Sequence, residues 1–334
     1  MKKKILISTV VAIMLMSMTL MLFAGCDKGY QGDDKGIGLT KPTEEMLGIT
    51  PTAITQDMTA YQMMDIAIDN FYNADYIINE YVGGVNMKLA GIIKVDQVVQ
   101  STKIREGKGD KSGNNANGAT YFADNKSHSA FAKIYEKFVI TENSWTRKSG
   151  NKDKISYTKP GKKGAGRLGA WKVTKWNSEN KYNSLKELAD KNYNNPTILW
   201  MYDLSEENIK TTTVPAYDEV AGTYKFTMTF KPMESTVEYR KVMLNQLESN
   251  AGMPIENLGF NELKLEFVLW DNGMIKSINV TENYQMKMML AGTGINSAVI
   301  LTAKQSFSYD RNEKGYNIDD HLEGYKKNTT YPSL

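Results

Sequence analysis

The chain has 334 residues, with 41 Lys plus Arg against 38 Asp plus Glu, two histidines and a single cysteine. One cysteine excludes an intramolecular disulfide, and two histidines, His128 and His321 in polar stretches, exclude a histidine metal cluster. The near-balance of charge singles out no class of partner, and the length, beyond the ~100 to 200 residues usual for one domain, allows one large β-rich domain or two smaller ones.

The chain opens on Met1-Lys2-Lys3-Lys4, continues as an apolar stretch from Ile5 to Phe23, and reaches Leu22-Phe23-Ala24-Gly25-Cys26. A basic start, an apolar middle and small residues before a cut are the parts of a secretory leader. Ala24-Gly25-Cys26 resembles the bacterial lipobox, with Phe23 standing where that group usually has leucine. The resemblance implies a leader over 1–25, a diacylglyceryl group on Cys26, and an extracytoplasmic chain anchored to the cell membrane by lipid. The apolar stretch also approaches the ~20 residues that span a bilayer as a helix. A retained helix, however, has no use for a small-small-Cys ending. Loss of Lys2, Lys3 and Lys4 with the leader leaves 38 charges of each sign.

Residues 26–57 are rich in Gly, Asp, Lys, Thr and Pro and read as the lipidated amino terminus and a flexible tether. A helix is expected next, capped by Asp57 or Thr59, with Met64, Ala67, Ile68 and Phe71 on one face and Gly83-Gly84 as its latest end. From Val85 the period changes to two. Tyr224, Phe226, Met228 and Phe230 alternate with Lys225, Thr227, Thr229 and Lys231. The same alternation covers Leu263 to Leu269, Ile278 to Leu290, and Val299 to Tyr309, which is the pattern of antiparallel sheet with one buried face. Asp271-Asn272-Gly273 marks a hairpin, because Asn-Gly readily takes the positive φ of a tight turn. Short helices are expected from Ser184, where Glu187 has capping-box spacing, and over 234–249, where Tyr239, Val242, Met243 and Leu247 form a stripe. The fold class is therefore α+β: a large curved antiparallel sheet, half-barrel-like, with a few helices packed on one face. The globular domain runs over 58–310, divisible into two related halves near 58–215 and 216–310, and 311–334 is a polar carboxy-terminal tail.

Over about residues 59–310 this order of elements resembles the LolA-like group of envelope lipoproteins and lipid carriers, whose open half-barrel sheet wraps helices around an apolar cavity. The segment from Tyr224 through the Asp-Asn-Gly hairpin to Glu282-Asn283-Tyr284 is also similar to uncharacterised lipoproteins of Gram-positive bacteria, which implies no activity.

No catalytic or cofactor constellation survives its context. Gly164-Ala-Gly166-Arg-Leu-Gly169 has dinucleotide-fingerprint spacing, but that motif needs a strand before it and a helix after it. Here Lys-Pro-Gly-Lys-Lys precedes, and Ala170 to Trp176 alternates like a strand. Asp310-Arg-Asn312-Glu-Lys314-Gly315 begins like a calcium loop, but Lys314 stands in a ligand place and His321 where a bidentate glutamate belongs, so a surface turn is expected. Asp110 to Gly118 reads as a hairpin loop without phosphate-cradle spacing. Ser127 and Ser129 beside His128 make no nucleophile elbow.

Two sets of residues remain as candidate contacts, in a chain expected to be non-catalytic and without cofactor or metal. Met286, Met288 and Met228, with Tyr224, Phe226 and Phe230, lie on apolar strand faces and would line a cavity for a lipid or other apolar ligand, although ordinary core filling explains them equally. Between Trp145 and Trp176 ten cations face one acid, Asp153. Within that stretch Lys159, Lys162, Lys163, Arg167, Trp171, Lys172 and Lys175 suit contact with an anionic envelope polymer, membrane or protein partner, where indoles sit at an interface. A solvated lysine loop explains the same residues, and an extracytoplasmic location leaves nucleic acid out.

Overall fold

The computed structural model describes residues 36–108, 120–129, 132–141, 144–153, 172–177, 199, 202–241, 243–244, 255–290 and 293–317, with the strands between 120 and 177 described through their backbone. Among these, twelve strands form one antiparallel sheet. They are β1 (Tyr76–Leu89), β2 (Ile93–Glu106), β3 (Thr120–Ser129), β4 (Ala132–Thr141), β5 (Ser144–Asp153), β6 (Lys172–Asn177), β7 (Ile209–Thr212), β8 (Ala216–Asp218), β9 (Thr223–Phe230), β10 (Ile255–Trp270), β11 (Ile275–Leu290) and β12 (Thr293–Ser308). Their spatial order is β6-β5-β4-β3-β2-β1-β12-β11-β10-β9-β7, with β8 also on β9. One meander runs from β1 to β6 and another from β9 to β12. They join where β1 pairs with β12, from Ile78 opposite Ser308 to Leu89 opposite Ser297. The sheet is not closed, and the helices are few: α1 (Glu44–Leu47), α2 (Ala60–Asn73) and α3 (Pro232–Ser235). This is the α+β architecture with a curved sheet that the alternation predicts. The 215/216 division falls between β7 and β8, both of which pair with β9.

Helix α2 starts where Thr59 closes a capping box, its hydroxyl accepting from the Gln62 amide while the Gln62 side chain accepts from the Thr59 amide. It lays Met63, Met64, Ala67, Ile68 and Phe71 onto the sheet, all buried, and Phe71 meets Phe307 of β12 edge-on at 5.3 Å between ring centroids. The helix stops at Asn73, and the strand that follows begins at Tyr76, well before Val85, because Tyr76-Ile77-Ile78 supplies aromatic and β-branched residues at once. What fixes the turn between them is Arg105 of β2. Its Nη2 donates into the cluster of carbonyls at the helix end, Phe71, Tyr72 and Ala74, at 3.1, 3.2 and 2.8 Å. A cation there also complements the negative end of the helix dipole, and the Phe71 ring lies 5.8 Å from the guanidinium carbon. Burial lowers the Arg105 pKa to about 10, so it stays charged at neutral pH.

Residues 36–57 correct the expectation of a tether. They form a strap packed on the sheet, with Ile37, Leu47 and Ile54 buried and α1 capped by Thr43 and ended by Gly48 at φ 64°. Polar composition hid the few apolar anchors that decide the matter. Asn70 of α2 accepts from the Thr52 amide at 3.0 Å and donates to the carbonyls of Thr52 and Gly273. The Asp271-Asn272-Gly273 hairpin meets the same strap: Asn272 donates to the Pro42 carbonyl at 2.9 Å, and Lys41 pairs with Asp271. Gly273 is required twice, by its φ of 81° and because a Cβ would lie 2.2 Å from the Thr52 oxygen.

Among the described residues, a small cluster of Ile37, Tyr76, Ile78, Ile104 and Tyr316 covers one end of the outer face. Residues 311–317, expected at the head of a polar tail, fold back over it. The Asn312 amide donates to Asp310 and the Tyr316 amide to the Glu313 carbonyl, so Asp310 to Gly315 is the turn that its sequence predicts. Tyr76 donates its hydroxyl to the Tyr316 carbonyl at 2.9 Å. The helix expected from Ser184 lies outside the described residues. Around 234–249, α3 begins with Pro232, the chain is helical again over 237–241, and Tyr239 and Met243 are buried.

Replacing Arg105 with Met leaves buried carbonyls without their donor, and unmet polar groups of this kind cost ~1 to 3 kcal/mol each. The expected result is a loss of several kcal/mol in urea unfolding. A midpoint equal to that of the wild type would remove Arg105 from this role.

Candidate functional site

Strand alternation sends every second side chain of β11 inward, and Ile278, Val280, Tyr284, Met286 and Met288 fill the core accordingly. At the same parity between Val280 and Tyr284 stands Glu282, fully buried. The Tyr202 hydroxyl donates to its Oε1, and the Tyr239 hydroxyl donates to its Oε2 at 3.4 Å. The rings around it touch in sequence. Tyr202 and Tyr239 are 5.7 Å apart, Tyr239 and Phe260 5.4 Å, and Phe260 stacks on Tyr284 at 4.8 Å. Burial pushes the Glu282 pKa up to about 8, offset in part by the two donated hydrogen bonds. The carboxyl is therefore mostly neutral at pH 7. Burial first, and the neighbouring carboxyl second, raise the Tyr202, Tyr239 and Tyr284 hydroxyls well above their ordinary value.

Tyr202 has a second role. With Leu199, Leu204 and Ser205 it faces α2 across a cleft of about 340 Å³, whose other wall is the helical stripe Tyr61, Met64, Asp65, Ile68 and Tyr72. Most of this lining is aliphatic or aromatic, with few polar groups. One of those, the Ser205 hydroxyl, is buried and has no hydrogen-bond partner among the described residues. Such a mixture, in a volume of roughly 300 to 1,000 Å³, is the chemistry of a small-ligand pocket.

The residues expected to line a cavity lie elsewhere. Tyr224, Phe226, Met228, Phe230, Met286 and Met288 all face inward and are at most 4 % exposed. Phe226 stacks on Phe267 at 5.4 Å, as core residues do, and none of the six lines the α2 cleft. Met286 alone borders a separate cleft of about 500 Å³ that opens on the outer face. Of the cationic set, Lys172 and Lys175 lie on β6, opposite Ser149 and Thr146 of β5. Cys26, Lys159, Lys162, Lys163, Arg167 and Trp171 lie outside the described residues, as do the Gly164 to Gly169 motif and His321. The segment after that motif is strand β6, not the helix that a dinucleotide site requires. His128 sits on β3 opposite Val98 and Lys133. Among the described residues no three His, Cys, Asp or Glu side chains are grouped to hold a metal ion, and no helix is long and apolar enough to cross a membrane.

Tyr202 and Ser205 escaped sequence reading, and Met64 and Ile68 were legible only as a helical face, since the cleft forms between segments some 130 residues apart. Glu282 did leave a trace: it is an acid at an inward position of an otherwise apolar alternation. Comparison of the chain with protein-family models, curated proteins and solved structures finds no match.

Glu282 keeps its proton to about pH 8 when folded but releases it near 4.5 when unfolded. The unfolded chain thus binds fewer protons between those values, and stability falls as pH rises through that window. Glu282→Gln keeps an acceptor for the tyrosines without the ionisation. Its melting temperature should match the wild type at pH 5 and exceed it at pH 8. Parallel pH profiles for the two proteins would show that Glu282 ionises freely.

Proposed function

We propose that the protein is a non-catalytic extracytoplasmic lipoprotein, held to the cell membrane through Cys26, that binds a small apolar or amphipathic molecule in the cleft between α2 and the 199–205 segment. The observation that carries this reading is the cleft itself, with its aliphatic and aromatic walls and a buried Ser205 hydroxyl that no described residue engages. Tyr61 and Leu204, half-buried in its walls, offer apolar surface worth roughly 25 cal/mol for each Å² taken from water. Ser205 offers one oriented hydrogen bond. Tyr202, engaged below with Glu282, gives the cleft a rigid aromatic wall.

The arrangement lacks what the commoner hydrolytic chemistries need. Glu282 lies beneath Tyr202 with both oxygens engaged by tyrosine hydroxyls, and no histidine is among the described residues of the cleft. Ligand binding without turnover asks only for fit and desolvation, and those the cleft provides. The lipobox and the leader supply the anchorage in this reading, and the open sheet with helices on one face agrees with the architecture of a lipid carrier.

Mass spectrometry of the full-length protein, expressed in a bacterial host and extracted in detergent, tests both parts. The denatured chain should begin at Cys26 and carry a diacylglyceryl group; a chain that begins at Met1 overturns the anchor. The native spectrum should show a bound organic molecule that solvent releases, and Ile68→Trp, which fills the cleft, should reduce its occupancy at least tenfold. A wild-type protein with no adduct, or equal occupancy in the variant, overturns the binding reading.

A further inference from the structure

The outer-face cleft of about 500 Å³ lies over the central strands β1, β12, β11 and β10, near the end marked by the β1–β2 turn. Its residues fall in two rows across the sheet. In the first, Lys88 is opposite Ala298, which is opposite Gln285, which is opposite Gly259. In the second, Asn296 is opposite Lys287, which is opposite Asn257. Ala298 and Gly259 keep the middle low, while Lys88, Gln285, Asn257, Asn261 and Asn296 stand around it, all exposed. Among the described residues no acid lines the groove. Glu256 pairs with Lys287 at 2.5 Å, and Asp96 stands on the same face one row from Lys88 and Lys94, accepting from the Asn86 carboxamide at 2.8 Å.

Two features bear on what the groove can take. Gly259 lies within β10 between bulges at Ile255/Asn257 and Phe260/Glu262, and because a Cβ built on it meets nothing within 4 Å, its bare backbone leaves the groove floor open to close approach of a ligand. Secondly, Lys88 stands directly opposite Lys94 on β2. Like charges in that position repel across the sheet, and an anion laid between them removes the repulsion.

We propose that this groove binds an anionic glycan, a chain of hydroxyl-bearing units that carries carboxylate or phosphate groups. Each carboxamide of Asn257, Asn261, Gln285 and Asn296 offers a donor and an acceptor side by side, which matches neighbouring hydroxyls on a sugar or polyol. Lys88 and Lys94 receive the anionic group. The ladder hydrogen bonds of four central strands occupy the backbone beneath, so an added peptide strand finds no main-chain partner there. A lipid tail finds little apolar wall beyond Met286. The proposal stands apart from the α2 cleft and does not depend on it.

Fluorescence anisotropy on the full chain in detergent, with labelled alginate oligosaccharide as the carboxylated probe and a glycerol phosphate oligomer as the phosphorylated one, tests it. One or both should bind, with affinity that falls as salt rises, and the stronger names the anionic group. Neutral dextran should bind at least tenfold more weakly. Gly259→Trp should cost at least tenfold at an unchanged melting temperature, and Lys88→Gln should flatten the salt dependence. If Gly259→Trp melts early, Gln285→Leu at the exposed rim takes its place, with the same loss expected. Failure of both anionic probes overturns the proposal, and so does poly-glutamate binding as tightly as the glycans, which would make the groove a site for acidic peptides. Binding that survives in the groove variants but is lost with Lys159, Lys162 and Lys163 changed to Ser overturns it in favour of the lysine-rich segment.

Discussion

The β1–β12 ladder is the constraint on which the other features depend. It joins the first and last strands of the sheet, more than two hundred residues apart in sequence, and merges two local meanders into one surface. Its register decides which side chains meet on the inner face. Glu282 and Leu301 share a row with Val85, and Tyr81 faces Gln305 beside Ile278. A slip of one residue would turn the side chains of the shifted strand to the opposite face. Were that strand β1, Lys88 would turn inward and Met87 to solvent. So long-range a pairing must close a large loop before its contacts repay the entropy, which slows folding.

Buried ionisable groups share the inner face with the apolar core. Burial brings Lys103 down to about 7 and Glu282 up to about 8. The signs differ. Folding is weakened by Glu282 as pH rises from 4.5 to 8, and strengthened by neutralisation of Lys103 as pH rises from 7 to 10.5. Both groups are thus close to their neutral forms in the same narrow range. Arg105 differs, because its charge is used at the carboxy-terminal end of α2, and a guanidinium gives up its proton less readily than an ammonium.

Much of this fold is legible in the chain. Period-two alternation in β9 to β12, the capping box before α2 and the Asp-Asn-Gly hairpin are local signals, and each element stands where its signal lies. What stayed hidden depended on a few residues acting at a distance. Ile37, Leu47 and Ile54 are too sparse to produce a period, yet they hold the strap. The six residues expected around a cavity lie on an inward face, but sequence gives no measure of the space beyond that face, and the structure buries them in the core, with Phe226 stacked on Phe267. The cleft instead sits where α2 meets the 199–205 segment, a contact no local pattern encodes. Glu282 is the intermediate case, visible as a broken alternation but uninterpretable until Tyr202 and Tyr239 come to meet it.

The strap changes the mechanics of attachment. With residues 36–57 bound to the sheet, only 27–35 separate Cys26 from the folded body, a distance of at most roughly 35 Å however that stretch is arranged. A body on so short a leash, under the proposed anchorage, explores a thin layer rather than a volume. Its collisions are restricted to partners within that layer, where confinement gives a weak contact the effective concentration of a strong one.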